Sequence, residues 1–82
     1  MDLVVLSNFL VKNLVKNKES VIINKIENDN DTVIQILVDS SDISLLIGKN
    51  GNIANSIRTL IQASAYINNL GRIRINIDTK NE

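Results

Sequence analysis

Two of the three glycines in this chain, Gly48 and Gly51, bracket Lys49 and Asn50 and so form a Gly-Lys-Asn-Gly tetrad. Apolar, helix-like stretches flank it: Leu45-Leu46-Ile47 before, and a run from Asn52 through Ile53, Ala54 and Ile57 after. Glycine reaches backbone angles closed to other residues and lets a neighbour approach the main chain without meeting a Cβ. Paired glycines between two helices therefore demand a tight turn and suggest close contact with a ligand. A lysine between them points to a ligand of negative charge.

The periodicity around the tetrad defines the frame. Residues 2–16 predict a helix with Asp2 near its start, Lys12 and Lys16 near its end, and Leu3, Leu6, Leu10 and Leu14 along one stripe. Val4, Val5, Val11 and Val15 widen that stripe beyond what a surface helix needs. Residues 20–27 and 32–39 are rich in β-branched side chains and read as two strands. The turn formers Asn28-Asp29-Asn30-Asp31 join them as a hairpin. Ser41 and Asp42 offer caps for a short helix over about 42–47, and a second helix runs from Asn52 to Tyr66 or Ile67. Asn68-Asn69-Leu70-Gly71 breaks it, with Gly71 suited to a left-handed backbone. Residues 72–78 alternate cleanly, with Ile73, Ile75 and Ile77 on one face and Arg72, Arg74, Asn76 and Asp78 on the other. The order is α-β-β-α-α-β. The hairpin strands pair antiparallel, and the helical crossover allows the second and last strands to lie parallel. The expectation is an α+β fold: a three-stranded mixed sheet with three helices packed on one face.

At 82 residues the chain is expected to form one domain spanning 1–82, ordered over about 2–78 with a frayed tail at 79–82. It contains no cysteine and no histidine, which removes thiolate metal sites and the commonest general base and metal ligand. Carboxylates such as Asp39 and Asp42 assemble no acid–base pair, so neither an enzyme nor a metal or cofactor site is expected. No apolar run is long enough to span a membrane and no secretory leader is visible, which places the expected location in the cytoplasm. With only Phe9 and Tyr66 as aromatic residues, binding of bases on a broad aromatic platform is not expected.

Net charge is zero, yet the charges segregate. Between residues 43 and 77 stand Lys49, Arg58, Arg72 and Arg74 with no acid. Chance segregation and a local anion site both account for this.

An isoleucine followed by Gly-x-x-Gly between two helices, inside β-α-α-β, resembles the KH domain. The extra helix and strand before that core resemble the bacterial, type II arrangement. The stretch Leu46-Ile47-Gly48-Lys49-Asn50-Gly51, continuing through Ile53-Ala54 to Ser56-Ile57-Arg58-Thr59, is similar to the small single-KH bacterial proteins of the KhpA family. That likeness runs over about residues 2–78. One departure stands at Asn52, where the family often carries a basic residue.

The resemblance implies binding of single-stranded RNA, with the loop clamping the backbone of about four nucleotides. Gly48 and Gly51 would admit phosphate oxygens close to the main chain, and the first amides of the second helix, near Asn52 and Ile53, would donate to them. Lys49 adds a point charge and Asn50 an uncharged donor or acceptor. Bases would lie in an apolar groove beside the loop, with Ile47 and Ile53 as its floor and the second strand as its opposite wall. Plain core packing explains the two isoleucines equally well. Arg58 either contacts RNA or lies on a solvated or dimer-forming face. The resemblance further implies a role as an RNA chaperone or post-transcriptional regulator. It also implies partnership, as a homodimer or with a larger KhpB-like protein. The alternative is a protein–protein adaptor with a KH fold in which RNA binding is secondary.

Overall fold

A computed structural model of the chain describes residues 2–29, 31–48 and 52–80. The elements follow in the order α1 (Leu3–Lys12), a single 3-10 turn (Lys18–Ser20), β1 (Ile22–Glu27), β2 (Thr32–Val38), α2 (Ser40–Ile47), α3 (Asn52–Ile67) and β3 (Arg74–Thr79). The sheet order is β1-β2-β3. β1 and β2 pair antiparallel, with Glu27 opposite Thr32, and β2 and β3 pair parallel, with Ile34 opposite Ile75. The expected α+β architecture and mixed sheet are therefore present.

The core lies between the sheet and the helices. β2 is the central strand, and its alternate residues Ile34, Ile36 and Val38 are fully buried. α3 turns Ala54, Ile57, Ile61 and Ala65 inward, a three-and-four spacing that keeps one helical face on the core. Leu3, Val11 and Val15 close the layer from the N-terminal side, and Leu46 does so from α2. Ile73 is buried, and Ile75 and Ile77 pack against the same cluster, as the alternation of this strand predicts.

α1 ends at Lys12 rather than at residue 16. Asp2 caps it, accepting from the N–H of Val4 at 2.7 Å and of Val5 at 3.3 Å. At the other end, the N–H of Lys16 and of Asn17 leave the helical ladder and donate to the carboxylate of Asp42, at 3.2 and 2.9 Å. A charged acceptor reached through the fold offers these amides a stronger bond than a neutral carbonyl would. Residues 20 and 21 are likewise taken out of the first strand by the 3-10 turn, which the N–H of Val21 closes on the carbonyl of Lys18 at 3.3 Å.

α2 starts earlier than its expected caps. Its N-cap is Asp39, whose carboxylate accepts from the N–H of Ser41 at 3.0 Å and from the Ser41 hydroxyl. Ser41 and Asp42 lie inside the helix instead. α3 ends in a Schellman arrangement: the N–H of Leu70 donates to Ala65 O at 2.8 Å and that of Asn69 to Tyr66 O at 3.1 Å. The left-handed residue that terminates the helix is Asn69, with φ 59°, while Gly71 takes φ 77° two residues on. β3 extends through Thr79, paired with Val38, and the N–H of Lys80 still reaches Val38 O at 2.8 Å.

Candidate nucleic-acid interface

α2 and α3 meet at the tetrad. The N–H of Gly48 closes the last turn of α2 on Ser44 O at 2.8 Å. Gly48 itself adopts φ 56°, ψ −159°, a combination open essentially to glycine alone. Space does not impose this glycine. A Cβ built there would sit 3.7 Å from Ile53 Cδ1 and 3.8 Å from Leu45 O, both ordinary contacts. The backbone angle is what excludes other residues. Lys49, Asn50 and Gly51 fall outside the described residues.

Asn52 and Ile53 occupy the first turn of α3, where amides have no carbonyl four residues back within the helix. No acid stands in that turn. Ile47 is 46% exposed and Ile53 38% exposed, so neither belongs to the buried core. Both flank the loop, on the last turn of α2 and the first turn of α3.

A groove of about 570 Å³ lies along α3. Arg58, Thr59, Gln62, Ala63 and Tyr66 line its helical side, and Ile73 and Ile75 line the other. Its lining differs from that expected for a groove beside the loop. The second strand supplies no wall because it is central in the sheet, with its inward side chains under the helices. Ile47 and Ile53 are not among the residues that line it. β3 is one of the two edge strands of the sheet, and it is the one that lies beside α3. Thr59, Gln62, Ala63 and Tyr66 recur every three to four residues on one flank of α3, a spacing visible in the sequence once the neighbouring strand is known.

Two side chains tie α3 to β3 and to the segment that leads into it. Arg58 Nε donates to Ile75 O at 3.3 Å, and Arg58 Nη1 donates to Asn55 Oδ1 at 3.0 Å. Gln62 Nε2 donates to Gly71 O at 3.2 Å, while Gln62 Oε1 accepts from the N–H of Ile73 at 3.3 Å. Arg58 is thus half-buried at the mouth of the groove rather than free in solvent. Arg74 lies on the opposite face of the sheet, where it approaches Asp31 at 3.8 Å.

Away from the groove, Asp42 anchors the base of α2. Its side chain is out of contact with solvent and accepts from Lys16 N–H, Asn17 N–H and, at 3.1 Å, Asn17 Nδ2. These bonds, led by that from the Asn17 main chain, hold its carboxyl below the usual carboxylate range against the opposing effect of burial. Asp39 is lowered too, chiefly by the Ser41 hydroxyl and then by the Ser41 N–H. Both carboxylates serve as structural acceptors. Among the described residues, no group of histidine, cysteine or acidic side chains is placed to hold a metal ion. No helix among them is long and apolar enough to cross a membrane.

Comparison with known proteins places the chain in a family. The family model for the KhpA/KhpB KH domain matches residues 6–78. The RNA-binding protein KhpA of Borreliella burgdorferi is 42% identical over 60 residues, covering 73% of each chain. The protein of the same name from Listeria monocytogenes is 38% identical over 68 residues, 83% of this chain and 88% of the relative. That from Chlamydia pneumoniae is 31% identical over 74 residues, 90% of this chain and 91% of the relative. No solved structure matches the chain. A match over residues 6–78, across every strand and helix except the first turn of α1 and the end of β3, shows that this chain belongs to the KhpA/KhpB KH-domain family.

Proposed function

We propose that this protein binds single-stranded RNA, with Gly48-Lys49-Asn50-Gly51 clamping the phosphate backbone. The observation that carries the proposal is the glycine-only backbone of Gly48 at the junction of α2 and α3. It is supported by the acid-free first turn of α3 and by relatives named as RNA-binding proteins. The family is a binding module and not an enzyme.

In this reading the main-chain amides at Asn52 and Ile53 receive phosphate oxygens, aided by the helix dipole. Lys49 supplies a mobile charge and Asn50 a neutral hydrogen-bonding group. Ile47 and Ile53 offer apolar contact at the loop. The bases continue into the groove between α3 and β3, past Arg58. With Asn52 in place of a basic residue, affinity rests on backbone amides more than on charge. Few phosphate contacts make that affinity modest and sensitive to salt.

Modest single-site affinity favours action in more than one copy, through effective concentration. We therefore infer a homodimer, or a heterodimer with a KhpB-like protein, working in the cytoplasm as an RNA chaperone or post-transcriptional regulator. The adaptor reading keeps one specific support: Val5 and Phe9 on α1 and Leu60 and Ile67 on α3 expose apolar surface, Phe9 to 63%.

The test is binding of short single-stranded RNA by the wild type and by a Lys49→Asp, Asn50→Asp double variant, at low and moderate salt. Two carboxylates facing phosphates should abolish binding while leaving the circular dichroism spectrum unchanged. Equal binding by both proteins would overturn the clamp. A wild type that ignores RNA yet self-associates or captures a KhpB-like protein would favour the adaptor.

A further inference from the structure

The two edges of the sheet are finished differently. β3 is tied to α3, since Arg58 Nε donates to Ile75 O and Gln62 Oε1 accepts from the N–H of Ile73. β1 has no such cover. The N–H of Asn28 donates to Asp31 O at 2.8 Å, in line with the register that sets Glu27 opposite Thr32. Hydrogen-bonded and non-hydrogen-bonded pairs alternate along an antiparallel ladder. Ile22, Asn24 and Ile26 therefore bond to β2, while Ile23, Lys25 and Glu27 turn their N–H and C=O to the free edge. Among the described residues, no backbone bond from a turn or loop reaches those groups. Charged side chains commonly guard such an edge, but here Lys25 and Glu27 pair with each other at 3.2 Å.

The face of the sheet turned away from the helices is ordered in rows. Facing positions in the two ladders set Asn24, Gln35 and Asn76 side by side, and Asn24 Nδ2 donates to Gln35 Oε1 at 3.1 Å. Ile22 and Leu37 flank this amide row on one side, and Ile26 and Val33 on the other. Ile22 and Ile26 stay exposed, to 39% and 44%.

We propose that the free edge of β1 pairs antiparallel with β1 of a second copy, joining two three-stranded sheets into one of six strands. Backbone parity restricts the register, because only Ile23, Lys25 and Glu27 have free groups to offer. With Asn24 opposite Asn24 of the second copy, Ile22 meets Ile26 of the second copy on both sides of the axis. The amide row then runs unbroken across both sheets. The neighbouring registers set Ile22 or Ile26 against Asn24, and the latter also opposes the two Lys25 side chains, which is unfavourable. Charge supports the same arrangement. Lys16 and Lys18 precede β1, Glu27 and Asp29 stand at its end, and all four are exposed. Antiparallel pairing brings the basic start of each strand beside the acidic end of the other. It also sets the two α1 helices, which pack on β1 and expose Val5 and Phe9, across the axis from each other.

Such an interface is isologous and closed, so association stops at two copies. β3 and the groove beside α3 stay at the outer margins, about 24 Å apart at the usual strand spacing. This inference rests on the homodimer reading above and names its surface, leaving both candidate clamps free for RNA.

The chain contains no cysteine, so Asn24→Cys introduces a single thiol. On the two-fold axis, in a non-hydrogen-bonded pair, its Cα lies about 4.5 Å from its counterpart, within the span of a disulfide. The two copies of residue 25 stand diagonally, about 7–8 Å apart, beyond that span. With oxidised glutathione, Asn24→Cys should form a covalent dimer on a non-reducing gel at least about tenfold faster than Lys25→Cys. Sedimentation equilibrium gives a second readout. Ile26→Glu should weaken dimerisation about tenfold, and adding Ile22→Lys should recover it, because opposite charges then face each other across the interface. The crosslink leaves Ile26 unchanged, so it reads the pairing even if Ile26→Glu is destabilised. Equal crosslinking of the two thiol variants, or a dimer indifferent to Ile26→Glu, overturns the edge pairing and leaves the homodimer reading standing. A wild type that stays monomeric at about 1 mM overturns both.

Discussion

The Asp42 carboxylate accepts the main-chain N–H of Asn17 at 2.9 Å, across 25 residues of sequence. The same carboxylate accepts from the N–H of Lys16, so a single side chain at the base of α2 holds the segment that follows α1. The helix it anchors ends at Gly48. Asp42 therefore links the N-terminal layer of the fold to the element that carries the candidate loop.

This link makes stability depend on pH with a defined sign. The Asp42 and Asp39 carboxyls are held below their ordinary value of 3.8 in the folded protein. The unfolded chain binds protons more readily, so the contribution is fully present above the ordinary carboxylate range and is lost as pH falls through the lowered folded values. The melting temperature of the wild type should drop as pH is taken from about 5 towards 2. Asp42→Asn should melt lower at pH 7 and show a shallower drop. Parallel pH profiles for the two proteins would refute the role given to Asp42.

Gly48 and Gly71 have positive φ for different consequences. Gly48→Ala forces a Cβ into a backbone region essentially closed to it and should cost on the order of 1–3 kcal/mol. Gly71, at φ 77° with no atom within 4 Å of a built Cβ, should tolerate Asn with only a small loss. Thermal or urea unfolding measures both. RNA binding should fall in Gly48→Ala and persist in Gly71→Asn, because only Gly48 belongs to the candidate clamp.

Ile61 is fully buried where α3 faces the core. Ile61→Ala should cost roughly 2–5 kcal/mol through lost transfer energy and the cavity left behind. In a domain of this size that is a large share of the total stability. Urea unfolding at 25 °C should show a clearly lowered midpoint, whereas Leu60→Ala, at a half-exposed neighbour, should change it little.

Much of this architecture was legible because it depends on local patterns. The alternation of Ile73, Ile75 and Ile77 survives intact in β3 because a strand with one buried face must alternate. The Gly-x-x-Gly spacing marked Gly48 because its constraint is a single residue's backbone angle. Helix ends were less legible. α1 looked continuous to residue 16 on hydrophobic spacing alone, since Leu14 and Val15 prolong the stripe; the carboxylate that draws Lys16 and Asn17 away lies far along the chain. Asn69 rather than Gly71 ends α3, because the closing bonds run back to Ala65 and Tyr66 and set the left-handed position between them. Gln62 showed no sign of a site, since its partners Gly71 and Ile73 come from the segment that leads into β3.

By itself, the sequence determined the element order, the apolar faces and the one junction that requires glycine, all set by residue periodicity and backbone sterics within a few positions. Only the tertiary structure decided that β3 would lie at an edge of the sheet, that α3 would lie along it to form a groove, and that Arg58 would reach the Ile75 carbonyl. Those outcomes depend on which strand the crossover places outermost, a choice made by packing the whole sheet against the helices and not by any segment alone.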